Sequence, residues 1–302
     1  MSNQVSVRVP GKINLQLSVG PLQRDGFHEL ATVFQSVSLF DELIISETDS
    51  DGIEIAAIGK STIPLGGENL AFKAAELMCK KFDIGTGLLI KIKKEIPIAG
   101  GMAGGSANAG ATIVGIDSLF SLGLKRDEME RIGSEIGADV PFTISGGTAI
   151  GTGRGDQVTP VLSRGLYNWV LALSTSGLST PAVYKECDRL REGLDISKPH
   201  VSDSLLQALT HGDAKALGKA LSNDLQAAAC SLKPALRLIL DVGIDYGALG
   251  GIVSGSGPTV AFLAESEDHA LDLVVALTSS GVVGNVIRVA GPVPGARVIS
   301  NA

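Results

Sequence analysis

Apolar and polar residues alternate along the first sixty positions. Val5, Val7 and Val9 are separated by Ser6 and Arg8, and Ile13, Leu15 and Leu17 by Asn14 and Gln16. A period of two sends alternate side chains to opposite faces of a sheet. The same style continues through 31–39, 42–46 and 52–58. The chain therefore opens as a strand-rich sheet, with strands over 5–9 and 13–19 first. At Asn69 the period changes. Leu70, Ala74, Leu77 and Met78 recur at helical spacing and predict a helix over 69–82, with a strand over 88–92 after it.

Beyond a glycine-rich stretch, Ile113, Ile116, Leu119 and Phe120 carry a helical stripe to about Leu122. Met129, Ile132 and Ile136 mark the next helix, with Gly137 at its C-cap. Asp139-Val-Pro-Phe then leads to a short strand at 148–150. A polar stretch holding Gly151, Gly153, Gly155 and Pro160 is the best boundary, dividing the chain into domains 1–160 and 161–302. The second half reads as a strand over 169–173, helices from 182 to 242, strands over 248–253 and 260–264, a helix over 269–277 and a strand over 285–289. With its central helices merged this is β-α-β-β-α-β, the split βαβ order. The predicted class is α+β.

The stretch Pro97-Ile-Ala-Gly-Gly-Met-Ala-Gly-Gly-Ser-Ala-Asn108 adds chemistry to this frame. Glycine tolerates positive φ and lacks a Cβ, so such a loop can turn its N–H groups around an anion. A helix starting there aims its unpaired N–H groups and positive dipole end at the same point. The loop is neither a Walker A sequence, since no Lys precedes Ser106, nor a G-x-G-x-x-G fingerprint. Gly151-Thr-Gly-Arg-Gly155 reads instead as a surface turn.

Composition narrows the partners. Lys and Arg number 25 against 32 Asp and Glu, a net charge of −7, so no basic footprint points to nucleic acid or an anionic membrane. No apolar run reaches bilayer length, and the first residues lack a secretory pattern, which predicts a cytoplasmic protein. Cys79, Cys187 and Cys230 lie far apart, as do His28, His200, His211 and His269. Buried thiols and no structural zinc are the expectation. No apolar stripe stands apart from the core to suggest an oligomer.

Three segments resemble the signature motifs of the GHMP small-molecule kinases, in that family's order and spacing. They are Pro10-Gly-Lys-Ile-Asn-Leu15, Pro97-Ile-Ala-Gly-Gly-Met-Ala-Gly-Gly-Ser106 and Ile252-Val-Ser-Gly-Ser-Gly-Pro-Thr259. The Gly-Glu-His continuation usual in galactokinases and mevalonate kinases is missing. Asn14-Leu-Gln-Leu-Ser-Val19 and Arg24-Asp-Gly-Phe-His-Glu-Leu30 stand there instead. This continuation resembles the branch that phosphorylates the 2-hydroxyl of 4-diphosphocytidyl-2-C-methyl-D-erythritol, in the non-mevalonate route to isoprenoid precursors. The likeness runs from Val7 to about Val298.

The resemblance implies an S5-like N-terminal domain, a ferredoxin-like C-terminal domain, and ATP with Mg²⁺ as cofactors. Lys12 and Asp139 match the family's catalytic pair. Pro97, Ile98, Ala99, Gly100, Gly101, Met102, Ala103, Gly104, Gly105, Ser106 and Ala107 match its ATP-phosphate loop. Asn69 and Lys94 match positions near the adenosine. Asn14, Phe27, His28, Thr180 and Tyr184 match residues around the diphosphocytidyl acceptor, with Phe27 and Tyr184 placed to stack on cytosine. Ser106 either contacts Mg²⁺ or caps the helix. Ala99, Ala103 and Ala107 stand where many relatives have Gly or Ser, which predicts negative φ at all three. The alternatives are another acceptor (mevalonate, homoserine or a sugar) and a nucleotide sensor without catalysis.

Overall fold

The computed structural model describes residues 3–59, 63–174 and 176–301. The opening alternation becomes two long antiparallel strands, β1 (Gln4–Leu22) and β2 (His28–Thr48), where the sequence predicts four shorter ones. Their register slips between Pro10, opposite Phe40, and Gly11, opposite Val37. A bulge of this kind absorbs the break in alternation and bends the strand without ending it. β3 (Ile53–Ile58) runs parallel to β4 (Gly87–Lys93), and α1 (Leu70–Phe82) supplies the crossover that parallel neighbours need.

α2 (Gly104–Leu119) is buried on nearly every side, so it has little amphipathic character. Its small residues permit close approach: a Cβ on Gly110 would meet Thr143 Oγ1 at 2.3 Å, and one on Gly115 would meet Ile45 Cδ1 at 2.4 Å. α3 (Arg126–Ser134) follows, then α4 (Val140–Ser145), a helix the sequence reading left out. The polar stretch after it is a hairpin of β5 (Thr148–Gly153) and β6 (Gln157–Pro160), with β5 laid on β2.

The second sheet has the order β11-β7-β10-β9, every neighbour antiparallel. It comprises β7 (Tyr167–Leu173), β9 (Gly250–Val253), β10 (Val260–Ala264) and β11 (Asn285–Gly291). This is the ferredoxin-like pattern expected of a split βαβ unit. Its helices are α5 (Thr180–Leu190), α6 (Asp203–His211), α7 (Ala214–Ala220), α8 (Gln226–Leu232), α9 (Ala235–Asp245) and α10 (Glu267–Ser279). Two pieces of the second half return to β1: β8 (Ser222–Asn223) in parallel and β12 (Arg297–Asn301) antiparallel. The sheets share one core, in which buried Trp169 of β7 donates its indole N–H to Gln35 Oε1 of β2 at 2.9 Å. Among the described residues no helix is long and apolar enough to cross a membrane.

Candidate active site

Alternation along β1 sends Ile13 and Leu15 into the core and Lys12 and Asn14 to the other face. Lys12 is only 5% exposed. Its Nζ donates to Asn14 Oδ1 at 2.7 Å, Asn14 Nδ2 donates to Thr32 Oγ1 at 2.8 Å, and Thr32 donates to the Gln16 carbonyl at 2.6 Å. The ammonium also lies 5.4 Å from the centre of the Phe34 ring. A charge fixed by this many neighbours cannot wander.

Asp139 immediately precedes α4, and its Oδ2 stands 4.0 Å from Lys12 Nζ. That is a charge interaction at longer range than a formed hydrogen bond. The Asp139 side chain makes no cap bond to α4, so the carboxylate faces the cleft instead of the helix amides. Burial pulls Lys12 below the usual lysine range, and the Asp139 charge opposes that pull.

The glycine-rich loop wraps the same cleft. Pro97, Ala99, Gly100, Gly101, Ala103, Gly104, Gly105 and Ser106 line it, together with Lys12, Asn14, Asp139, Thr180 and Tyr184, around a volume of about 420 Å³. Met102 and Ala107 turn into the core, and Ile98 points out, half exposed. Ala99 and Ala103 adopt left-handed backbone, with φ of 51° and 57°, which corrects the expected negative φ; only Ala107, inside α2, has helical backbone. The left-handed region costs an L-residue roughly 1–2 kcal/mol. It persists because the loop is pinned on both sides: Lys12 N–H donates to the Met102 carbonyl, Thr259 N–H to the Gly100 carbonyl and Ser254 Oγ to the Gly101 carbonyl. α2 begins at Gly104 with no side-chain cap, so its first N–H groups are left for an anion. Ser106 is the third residue of that helix and does not cap it.

Beneath the loop lies a carboxylate the sequence reading missed. Asp41, fully buried in β2, accepts from Lys94 Nζ at 2.5 Å and Asn108 Nδ2 at 2.7 Å through one oxygen. The other oxygen accepts from the N–H groups of Glu95 and Ile96 at 2.8 and 2.9 Å. One side chain thus ties β2, the start of the loop and the second turn of α2. A lone Asp in a strand carries no sequence signal for this. Lys94 is nearly buried beside Asp41 and under Gly104, and its pKa is lowered by burial, partly offset by Asp41. Asn69 is occupied: Oδ1 caps α1 at Ala71 N–H and Nδ2 donates to the Pro64 carbonyl.

A second cleft of about 640 Å³ adjoins the first and holds Phe27, His28, Thr180, Tyr184 and Asp188. His28 Nδ1 donates to the Gly20 carbonyl at 2.8 Å, and its Nε2 faces Asp188 Oδ1 at 3.3 Å. The His28 and Tyr184 rings stack with centroids 5.3 Å apart. Phe27 is half exposed and is not in that stack; the Arg154 guanidinium covers its ring at 3.7 Å. The Tyr184 phenol is held protonated by burial, helped by the nearby Asp139 charge. Thr180 hydrogen-bonds Ser256 at 2.8 Å, joining the second cleft to the third glycine segment.

Residues 69–147 match the model of the GHMP kinases N terminal domain, and 205–283 that of GHMP kinases C terminal. A 4-diphosphocytidyl-2-C-methyl-D-erythritol kinase of Nocardia farcinica is 50% identical over 98% of this chain and 96% of its own. The enzyme of that name from Mycobacterium tuberculosis (strain H37Rv) is 48% identical, over 99% and 94%. A crystal structure of 4-(cytidine 5'-diphospho)-2C-methyl-D-erythritol kinase superposes with TM-score 0.77 at 29% identity, covering 94% of this chain and 98% of that one. A homoserine kinase from Cytophaga hutchinsonii reaches the same TM-score at 18% identity, over 98% and 97%, a likeness of fold.

Proposed function

The chain belongs to the GHMP kinase family, and from that premise we propose that it transfers the γ-phosphate of ATP to the 2-hydroxyl of 4-diphosphocytidyl-2-C-methyl-D-erythritol. One observation carries the reading: the Lys12–Asp139 pair lies in the same cleft as the uncapped start of α2 and its loop. A nucleotide tail bound by main-chain amides there has its terminal phosphate beside an ammonium and a carboxylate.

Phosphoryl transfer passes through a loose transition state, so alignment and charge stabilisation carry most of the acceleration. Asp139 accepts the hydroxyl proton as the oxygen attacks, and Lys12 offsets negative charge on that oxygen and on the moving phosphoryl group. Asn14 keeps the ammonium on the reacting side through its 2.7 Å bond. The Ser106 hydroxyl and the Asp139 carboxylate are hard oxygen donors at the cleft wall, which suits Mg²⁺. Bound to the nucleotide, with Ser106 as its protein contact, the ion would neutralise charge on the β- and γ-oxygens.

On the acceptor side, Phe27 and Tyr184 flank cytosine, with stacking worth about 1–3 kcal/mol per base. His28 supplies a ring nitrogen to the base edge. The reaction belongs to the cytoplasm, where ATP is supplied. A coupled ADP-release assay offering the cytidylyl acceptor, mevalonate or homoserine tests the reading. Release is expected with the cytidylyl acceptor; turnover of mevalonate or homoserine at an equal or greater rate would refute it.

A further inference from the structure

Arg154 occupies the turn between β5 and β6, inside the glycine cluster that reads as a surface turn. The fold instead brings this turn to the meeting point of the two clefts. Leu30, Ala138, Arg154, Thr180 and Tyr184 line both of them, and Arg154 is the charged residue among these. Its guanidinium carbon lies 3.7 Å from the centre of the Phe27 ring, and Nη2 is 3.2 Å from Asp25 Oδ2. Asp25 in turn accepts from the Phe27 N–H at 3.0 Å, so ring, guanidinium and carboxylate form one unit at the junction.

The acceptor has a matching arrangement of parts. Under the function proposed above, on which this inference rests, its base lies in the aromatic cleft and its polyol beside Lys12 and Asp139. The diphosphate joining them must cross the junction, carrying negative charge into a passage otherwise walled by Leu30, Ala138, Thr180 and Tyr184. Lys185 lines the base cleft but not the transfer cleft, and Lys12 is committed to the reacting end. A guanidinium keeps its charge at any working pH and offers a planar fork that fits two phosphate oxygens.

We infer that Arg154 binds the diphosphate of the acceptor, exchanging Asp25 for phosphate oxygens while it remains over Phe27. It is thereby a specificity-determining residue: it selects acceptors whose base and polyol are joined by a diphosphate. Removing it weakens binding of the charged linker and leaves the base pocket standing.

Calorimetric titration of the full-length protein with cytidine and with cytidine diphosphate tests this, using Arg154→Met, which retains an unbranched stem over Phe27. The wild type is expected to bind cytidine diphosphate at least tenfold more tightly than cytidine. In Arg154→Met cytidine affinity stays within twofold and the advantage of the diphosphate disappears, with the KM for ATP unchanged. An advantage that survives in the variant overturns the inference. A parallel loss of both ligands also overturns it, because Arg154 would then only support the Phe27 ring. A wild type that binds neither ligand defeats the acceptor reading, and the inference falls with it.

Discussion

The Lys12 ammonium stands 2.7 Å from the Asn14 amide oxygen and 4.0 Å from the Asp139 carboxylate. An oxygen placed beside both charged groups is within hydrogen-bond reach of each, and Asn14 prevents the ammonium from closing on the carboxylate. This separation suits an incoming hydroxyl. Asp139→Asn keeps the shape and loses the proposed base, so kcat should fall by roughly 10²–10⁴-fold with KM for both substrates little changed. Steady-state kinetics measures this, and unchanged turnover would remove Asp139 from the role.

The same pair sets a pH dependence. Burial lowers the Lys12 pKa from its ordinary 10.5, and Asp139 raises it part of the way back. In the proposed mechanism the working form is charged, so activity is expected below the folded-state pKa and lost as pH rises through it. The alkaline limb of kcat/KM is predicted to fall below pH 10.5, and lower still for the residual activity of Asp139→Asn. The stability effect has the sign of a depressed lysine: the unfolded chain holds the proton more tightly. Burial therefore costs stability below the folded pKa, and that cost fades as pH climbs towards 10.5. An alkaline limb at the same pH in both proteins would assign it to another group.

Asp41 offers a separate test, since it supports the loop without lining the cleft. Breaking a buried ion pair by removing one of its members costs about 3–5 kcal/mol. Asp41→Asn should therefore lose stability of that order in urea unfolding. Its KM for ATP should rise more than its KM for the acceptor. Adding Lys94→Met removes the charge that faced Asp41 and should restore part of the loss. Costs that simply add would contradict the pairing.

Gly101 tests the loop backbone. Its φ is +77°, and a Cβ there would sit 2.1 Å from the Ser254 carbonyl oxygen. Left-handed strain of about 1–2 kcal/mol, with the clash added, exceeds the roughly 1.4 kcal/mol of a tenfold affinity change. Gly101→Ala should weaken ATP at least tenfold in a nucleotide titration while sparing cytidine diphosphate. Undiminished ATP affinity would show that the loop does not hold the phosphates.

That Lys12, Asp139 and the 97–107 loop meet at one cleft was legible through the family resemblance, in which Lys12 and the loop lie in two short contiguous motifs. The split βαβ order was legible because its strands and helices have distinct periods. α4 was missed although Pro141 in its first turn is a helix-start signal; its six residues are too few to show a period. The left-handed Ala99 and Ala103 were misread because local sterics alone disfavour them, whereas bonds from Lys12, Ser254 and Thr259 hold the loop from remote parts of the chain. Asp41 and Arg154 were silent for a related reason. Their partners come from other elements, and no spacing along the chain announces such a meeting.

Phosphorus NMR of a reaction containing ATP and 4-diphosphocytidyl-2-C-methyl-D-erythritol tests the central claim most directly. The account predicts ADP together with an equal amount of a new phosphomonoester on the 2-carbon oxygen, the diphosphate link intact. ADP accompanied by inorganic phosphate alone, with the acceptor unchanged, would contradict it.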